Sequence, residues 1–209
     1  MHHGFMADIA TALAMRKIAT LRFNFPFMES GGKRPDPPAL AHRTICAAVA
    51  KARKLVPDLP VFAGGKSFGG RMVSQAQALG LLEHVPIAEP DTAPAGHAPP
   101  GVRGLVFLGF PLHPAGKASV TRADHLADVQ VPMLFVQGTR DALADLILLR
   151  LTVEQLGSRA SLKIVEDADH AFHVRKTIVG RNDAEVLQDI ADAVAAWCVA
   201  LVAARCDKS

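Results

Sequence analysis

Val61-Phe62-Ala63-Gly64-Gly65-Lys66-Ser67-Phe68-Gly69-Gly70, followed by Arg71-Met72, is the stretch that decides how this chain folds. The apolar run Leu59 to Ala63 predicts a buried strand, and helix-like sequence begins at Phe68. Between them lies Gly65-x-Ser67-x-Gly69. At this spacing a serine sits on a strained strand-to-helix turn, and the flanking glycines let the backbone pass close by. The same letters contain Gly65-Lys66-Ser67, the end of a phosphate-binding loop. That loop needs a glycine five positions before Gly65, where the chain has Pro60. It also needs a flexible turn where the chain has strand-like Val61-Phe62-Ala63. Ser67 is therefore a candidate nucleophile.

Outward from the elbow, apolar runs alternate with helical periodicity. Upstream, Met1 to Ala14 reads as helix with Phe5, Ile9 and Leu13 on one face. Ile18 to Phe25 reads as a strand stopped by Pro26, Glu29 to Pro38 as an exposed loop, and Leu40 to Leu55 as a helix. Downstream, Phe68 to Leu82 is the helix behind the elbow, and residues 84–101, with five prolines, are a surface excursion. Strands follow at Val102 to Phe110, Val131 to Val136 and Leu162 to Val165. Helices are expected at Thr121 to Val129, Leu143 to Leu156 and Asp183 to Arg205, the last packing through Leu187, Ile190, Val194, Trp197 and Leu201. Continuous apolar strands between helices predict an α/β fold, a mostly parallel sheet with helices on both faces. In such sheets the chemical groups gather at the carboxyl ends of the strands.

The bulk numbers narrow the field. The 209 residues suit one domain over 1–209, half of them apolar, with a formal net charge of +3. Basic residues such as Arg34, Arg43, Lys51, Arg53 and Lys54 are scattered with few aromatics among them, which excludes a nucleic-acid partner. Cys46, Cys198 and Cys206 show no paired metal spacing, and their odd number argues against a disulfide framework. Reduced thiols point to a cytoplasmic protein. No secretory leader pattern opens the chain, and the apolar run Ala193 to Ala204 is too short for a bilayer, so no membrane partner is expected.

A serine nucleophile needs a base within hydrogen-bond reach, and the base needs an acid to fix its tautomer. Asp141 follows the strand Val131 to Val136 in Gln137-Gly138-Thr139-Arg140-Asp141, with Asp145, placed inside the next helix, as the weaker rival. His170 follows the strand Leu162 to Val165 in Asp169-His170-Ala171-Phe172-His173, with His173 as its rival. His113 also lies at the carboxyl edge and borders the expected pocket. Lys66 and Arg71, beside and behind the nucleophile, would favour anionic substrates. Ser67, Asp141 and His170 each follow a different strand, in the chain order serine, acid, histidine.

Arg22-Phe23-Asn24-Phe25-Pro26-Phe27, Gly64 to Met72, Gly109-Phe110-Pro111-Leu112-His113-Pro114, Phe135 to Asp141 and Asp169-His170-Ala171-Phe172 together carry a resemblance over nearly the whole chain. The chain resembles small α/β-hydrolases related to dienelactone hydrolase, in the branch that includes the testis-expressed and KAT8 regulatory complex hydrolase-like proteins. The resemblance implies the α/β-hydrolase fold, with Ser67 as nucleophile, His170 as base, Asp141 as its orienting acid and the Phe68 N–H as one oxyanion donor. A serine hydrolase of a small ester or thioester is the activity it implies, with no metal or organic cofactor. Some relatives look like interaction scaffolds, so a non-catalytic binding module is the alternative. In such hydrolases the second oxyanion donor lies in a Gly-rich loop just before the first helix, and this sequence opens at that helix. The expectation is an N-terminally short sequence, missing a strand between Ile18 to Phe25 and the elbow strand.

Overall fold

The computed structural model describes residues 4–83 and 101–206. Four parallel strands form its sheet: β1 (Ala63–Lys66), β2 (Leu105–Leu108), β3 (Met133–Gly138) and β4 (Ala160–Val165), in that spatial order. Pairing runs Gly65 to Phe107, Phe107 to Phe135 and Phe135 to Leu162. Helices α1 (Gly4–Met15), α2 (Pro26–Glu29), α3 (Pro38–Leu55), α4 (Phe68–Ala78), α5 (Leu146–Leu156), α6 (Lys176–Val179) and α7 (Asp183–Cys206), with 3-10 turns at Thr121–Asp128 and Gly157–Arg159, complete the order of the described residues.

Alternation along the strands separates two cores, since successive side chains leave a strand on opposite faces. Leu105, Phe107, Met133 and Phe135 pack with Ile45 and Val49 of α3, Met72 and Val73 of α4 and Leu149 of α5. Val106, Leu108, Leu134 and Val136 pack on the other face with Ile9 and Leu13 of α1 and Val186, Ile190 and Val194 of α7. Helices therefore cover both faces, as the continuous apolar strands predict. On the first face Phe107, Phe110 and Phe135 meet with ring centroids 4.8–5.7 Å apart. Such pairs add about 0.5–1.5 kcal/mol each beyond the area they bury. Among the described residues α7 alone has the length and apolar composition to cross a membrane, yet its Val186, Ile190, Ala191 and Val194 are buried against the sheet and α1.

Several boundaries correct the sequence reading. The elbow strand is Ala63–Lys66 rather than Leu59 to Ala63, and Leu59 is 53% exposed. β2 sets this register: Arg103 N–H donates to Val61 O at 2.7 Å, and Ala63 pairs with Leu105. Two glycines then sit in the ladder because a β-carbon on Gly64 would come 2.5 Å from Val106 O. Ile18 to Phe25 joins no ladder. Aromatic contacts hold its end instead, with Phe25 and Phe27 rings 5.2 and 6.0 Å from Phe68. Among the described residues β1 pairs only with β2. The helix after β3 starts at Leu146, and Asp145 caps it by accepting from Ile147 N and Leu148 N. The expected excursion at 84–101 lies, apart from Gly101, outside the described residues.

Candidate active site

Ser67 ends β1 and opens α4 with φ 51° and ψ −117°, a conformation that costs a non-glycine residue about 1–3 kcal/mol. Surrounding bonds impose it. Ser67 N–H donates to Leu108 O at 3.1 Å, and Arg71 N–H returns to Ser67 O at 3.1 Å. The turn closes so tightly that a β-carbon on Gly65 would lie 2.8 Å from Gly70 N, and one on Gly70 would lie 2.8 Å from Gly65 O. Phe68 is the first residue of α4, so its N–H has no carbonyl a turn earlier to bond within the helix. The helix dipole places partial positive charge there.

Asp141 is presented by the turn after β3. Its carboxylate is fully buried and accepts three hydrogen bonds. Leu143 N–H reaches Oδ1 at 2.8 Å, while Gln137 Nε2 and His170 Nδ1 reach Oδ2 at 2.6 and 2.7 Å. A carboxylate can only accept, so the proton between Asp141 and His170 lies on Nδ1. That leaves Nε2 as the acceptor towards Ser67 Oγ, 2.9 Å away. The three residues singled out in the sequence thus form one unbroken hydrogen-bond chain.

The loop carrying His170 is tied at several points. Asp169 Oδ1 accepts from Ala171 N and His173 N at 2.8 and 2.9 Å, and Phe172 N–H donates to Asp169 O at 3.0 Å. Below it the Arg175 guanidinium chelates Asp167 and holds that carboxyl down at about 2. Arg140 Nε adds a bond to Asp167 O at 2.8 Å.

The other candidates fall elsewhere. His113 is 5% exposed, donates from Nδ1 to Pro114 O at 2.9 Å and accepts Asp145 N–H on Nε2 at 2.7 Å. Nε2 serves the backbone that follows Asp141 and Nδ1 the backbone next to His113 itself, so neither nitrogen is offered to a pocket. His173 is largely exposed and paired with Asp183 at 2.7 Å, away from Ser67. Arg71 has its Nε buried without a partner among the described residues, and burial with nearby Arg122 pushes its pKa down. The Lys66 ammonium donates to His170 O and lies 5.2 and 5.0 Å from the ring centroids of Phe5 and Phe172.

Gln137 escaped the sequence reading. It is fully buried in β3 and bonds Asp141. A polar residue at the end of an all-apolar strand was the available signal, since buried glutamines need a reason to be there. Among the described residues no group of three His, Cys, Asp or Glu side chains could hold a metal ion.

A parallel α/β sheet bringing serine, aspartate and histidine together at its carboxyl edge defines a hydrolase of the α/β class. The chain belongs to the alpha/beta hydrolase domain family, whose profile matches residues 1–199. Solved structures agree on the fold. A monoacylglycerol lipase from Paleococcus ferrophilus superposes with TM-score 0.65 at 14% identity, over 96% of this chain and 90% of that one. Dienelactone hydrolase from Anabaena variabilis gives TM-score 0.62 at 19% identity, over 94% and 78%. An alpha-beta serine hydrolase homologue from Coxiella burnetii gives 0.60 at 20% identity, over 90% and 76%.

Proposed function

We propose that the protein is a serine hydrolase that cleaves a small ester or thioester through an acyl-enzyme. The observation carrying this reading is the chain Ser67–His170–Asp141, with heavy-atom separations of 2.9 and 2.7 Å. Ser67 Oγ attacks the substrate carbonyl while His170 Nε2 takes its proton, and the Phe68 N–H stabilises the oxyanion. Collapse expels the alcohol or thiol, protonated by His170. Water, deprotonated by His170, then attacks the acyl-Ser67 ester, and the carboxylic acid leaves as Ser67 recovers its proton. Asp141 stays a carboxylate throughout, holding the tautomer and stabilising the transient imidazolium.

Arg22 to Phe27 and Gly64 to Met72 support placing the chain near dienelactone hydrolase, in the testis-expressed and KAT8 regulatory complex hydrolase-like branch. The free thiols of Cys46 and Cys198 support a cytoplasmic site of action, and the scattered basic residues with few aromatics among them support a role without a nucleic-acid partner. A fluorophosphonate probe tests the reading. It should label the protein and fail to label Ser67→Ala; labelling that survives the substitution overturns the assignment.

A further inference from the structure

Lys66 precedes the nucleophile, yet its side chain leaves β1 on the other side of the strand. The ammonium enters the layer of α1 and α7, where Phe172 is 3% exposed and Phe5 packs beside it. These two rings stack at 5.2 Å with their planes 18° apart. The ammonium lies within 5.2 Å of both centroids and donates to the main-chain carbonyl of His170. Cation–π attraction at this range strengthens as water is removed. Burial pushes the Lys66 pKa down, with the charges of Asp141 and Asp169 opposing it. Removing a positive charge from water is costly, so the contacts that hold this ammonium must offset that cost.

The anchor joins three segments: the start of α1 through Phe5, the elbow strand through Lys66, and the histidine loop through Phe172 and His170. Phe172 holds φ 66°, a conformation that bulky residues avoid. The carbonyl that Lys66 grips belongs to the residue whose imidazole reaches Ser67, one position along the chain from Lys66. Elbow and base are therefore referenced to each other through one side chain.

We propose that Lys66 is a positioning residue, whose ammonium fixes the main chain of His170 so that Nε2 stays in register with Ser67 Oγ. The role extends the serine-hydrolase reading and rests on it. Mispositioning catalytic groups by about 1 Å costs on the order of 10²-fold in rate. Loss of such a residue lowers the rate of the acyl-transfer step and spares ground-state binding.

The test compares Lys66→Met, Lys66→Arg and wild type in the full chain. Three readouts are followed: fluorophosphonate labelling rate, Tm, and the low-field NMR signal of the His170 Nδ1 proton. Lys66→Met is expected to label about 10²-fold more slowly, with the maximal rate lowered and half-saturation unchanged. Its Tm should change little, because the substituted side chain still packs on Phe5 and Phe172 while the desolvation cost of the half-buried charge is removed along with its contacts. The His170 signal should shift or broaden, and Lys66→Arg, which keeps a cation and donor, should recover rate and signal. Wild-type labelling and an unchanged His170 signal in Lys66→Met would overturn the proposal. Wild type that fails to label refutes the hydrolase reading alone. In that case the His170 signal still decides for Lys66: a shift in Lys66→Met supports the role, and an unmoved signal removes it.

Discussion

Gly109 lies against the imidazole of His170, where a β-carbon would sit 3.4 Å from both ring Nδ1 and Cε1 and 3.5 Å from Asp141 Oδ2. Its φ of +70° is one that glycine takes freely. Gly109→Ala should therefore lose about 1–2 kcal/mol from backbone strain alone. In a protein of this size that is a fall in Tm of roughly 2–8 °C. The same methyl would make only ordinary van der Waals contact with the imidazole, so probe labelling of Ser67 should change little. Thermal melts and labelling rates of this variant check both; an unchanged Tm would show that the backbone here accepts alanine without strain.

Ser67 carries strain that only its function needs. Ser67→Gly removes both the hydroxyl and the steric cost of φ 51°, so it should abolish labelling and, after the roughly 0.4–1 kcal/mol that glycine's extra unfolded-state freedom costs, still stabilise the fold by about 1 kcal/mol. Ser67→Ala should abolish labelling without that gain. Denaturant melts of the two variants side by side give the comparison. Equal stability of the two would mean the elbow is unstrained.

Asp141→Asn preserves shape and reverses hydrogen-bond logic. Asp141 receives three donors, and an asparagine has only one oxygen to accept them. Its amide would face Gln137 or His170, favouring the wrong imidazole tautomer. The acylation rate should fall by about 10⁴-fold. Single-turnover hydrolysis of an activated ester measures it, and a fall of less than tenfold would reassign the acid.

His125 supplies a pH dependence that has nothing to do with the triad. Its Nε2 bonds Ser74 Oγ at 2.7 Å, and burial, with Arg71 adding repulsion, holds its pKa down at about 4. The unfolded chain then binds this proton more readily than the folded one between the ordinary value near 6.5 and about 4. The stabilisation is complete above pH 6.5 or so and is lost as pH falls towards 4. Tm measured from pH 7 to 4 should drop, and the drop should be smaller in His125→Gln. Parallel curves for the two proteins would rule His125 out as the source.

The legible parts of the sequence were those where chemistry repeats along the chain. Leu105 to Leu108 and Met133 to Val136 are unbroken apolar runs, and only a sheet covered on both faces buries every residue of such a strand. Ser67, Asp141 and His170 could be found because each follows a strand in the right order. The elbow strand was displaced because Gly64 and Gly65 are poor strand formers in isolation, and the close approach of Val106 that requires them is tertiary. Ile18 to Phe25 has strand letters, but a ladder needs a neighbour as well as letters. Lys66 and His113 were read as pocket residues from their place in the chain. Strand alternation sends Lys66 to the opposite face, and the fold of the Asp141 turn encloses His113.

The ties on the histidine loop bear on how the protein would lose function. Thr139 Oγ1 accepts from Asp167 N at 2.9 Å, and the Arg140, Asp167, Arg175 and Asp169 bonds continue around to His173. A segment bound at so many points has no melting transition of its own. Amide exchange at Ala171 and His173 should then be as slow as in β4, which the loop follows. Heating should extinguish activity and fold together, leaving no interval in which the sheet survives without its base.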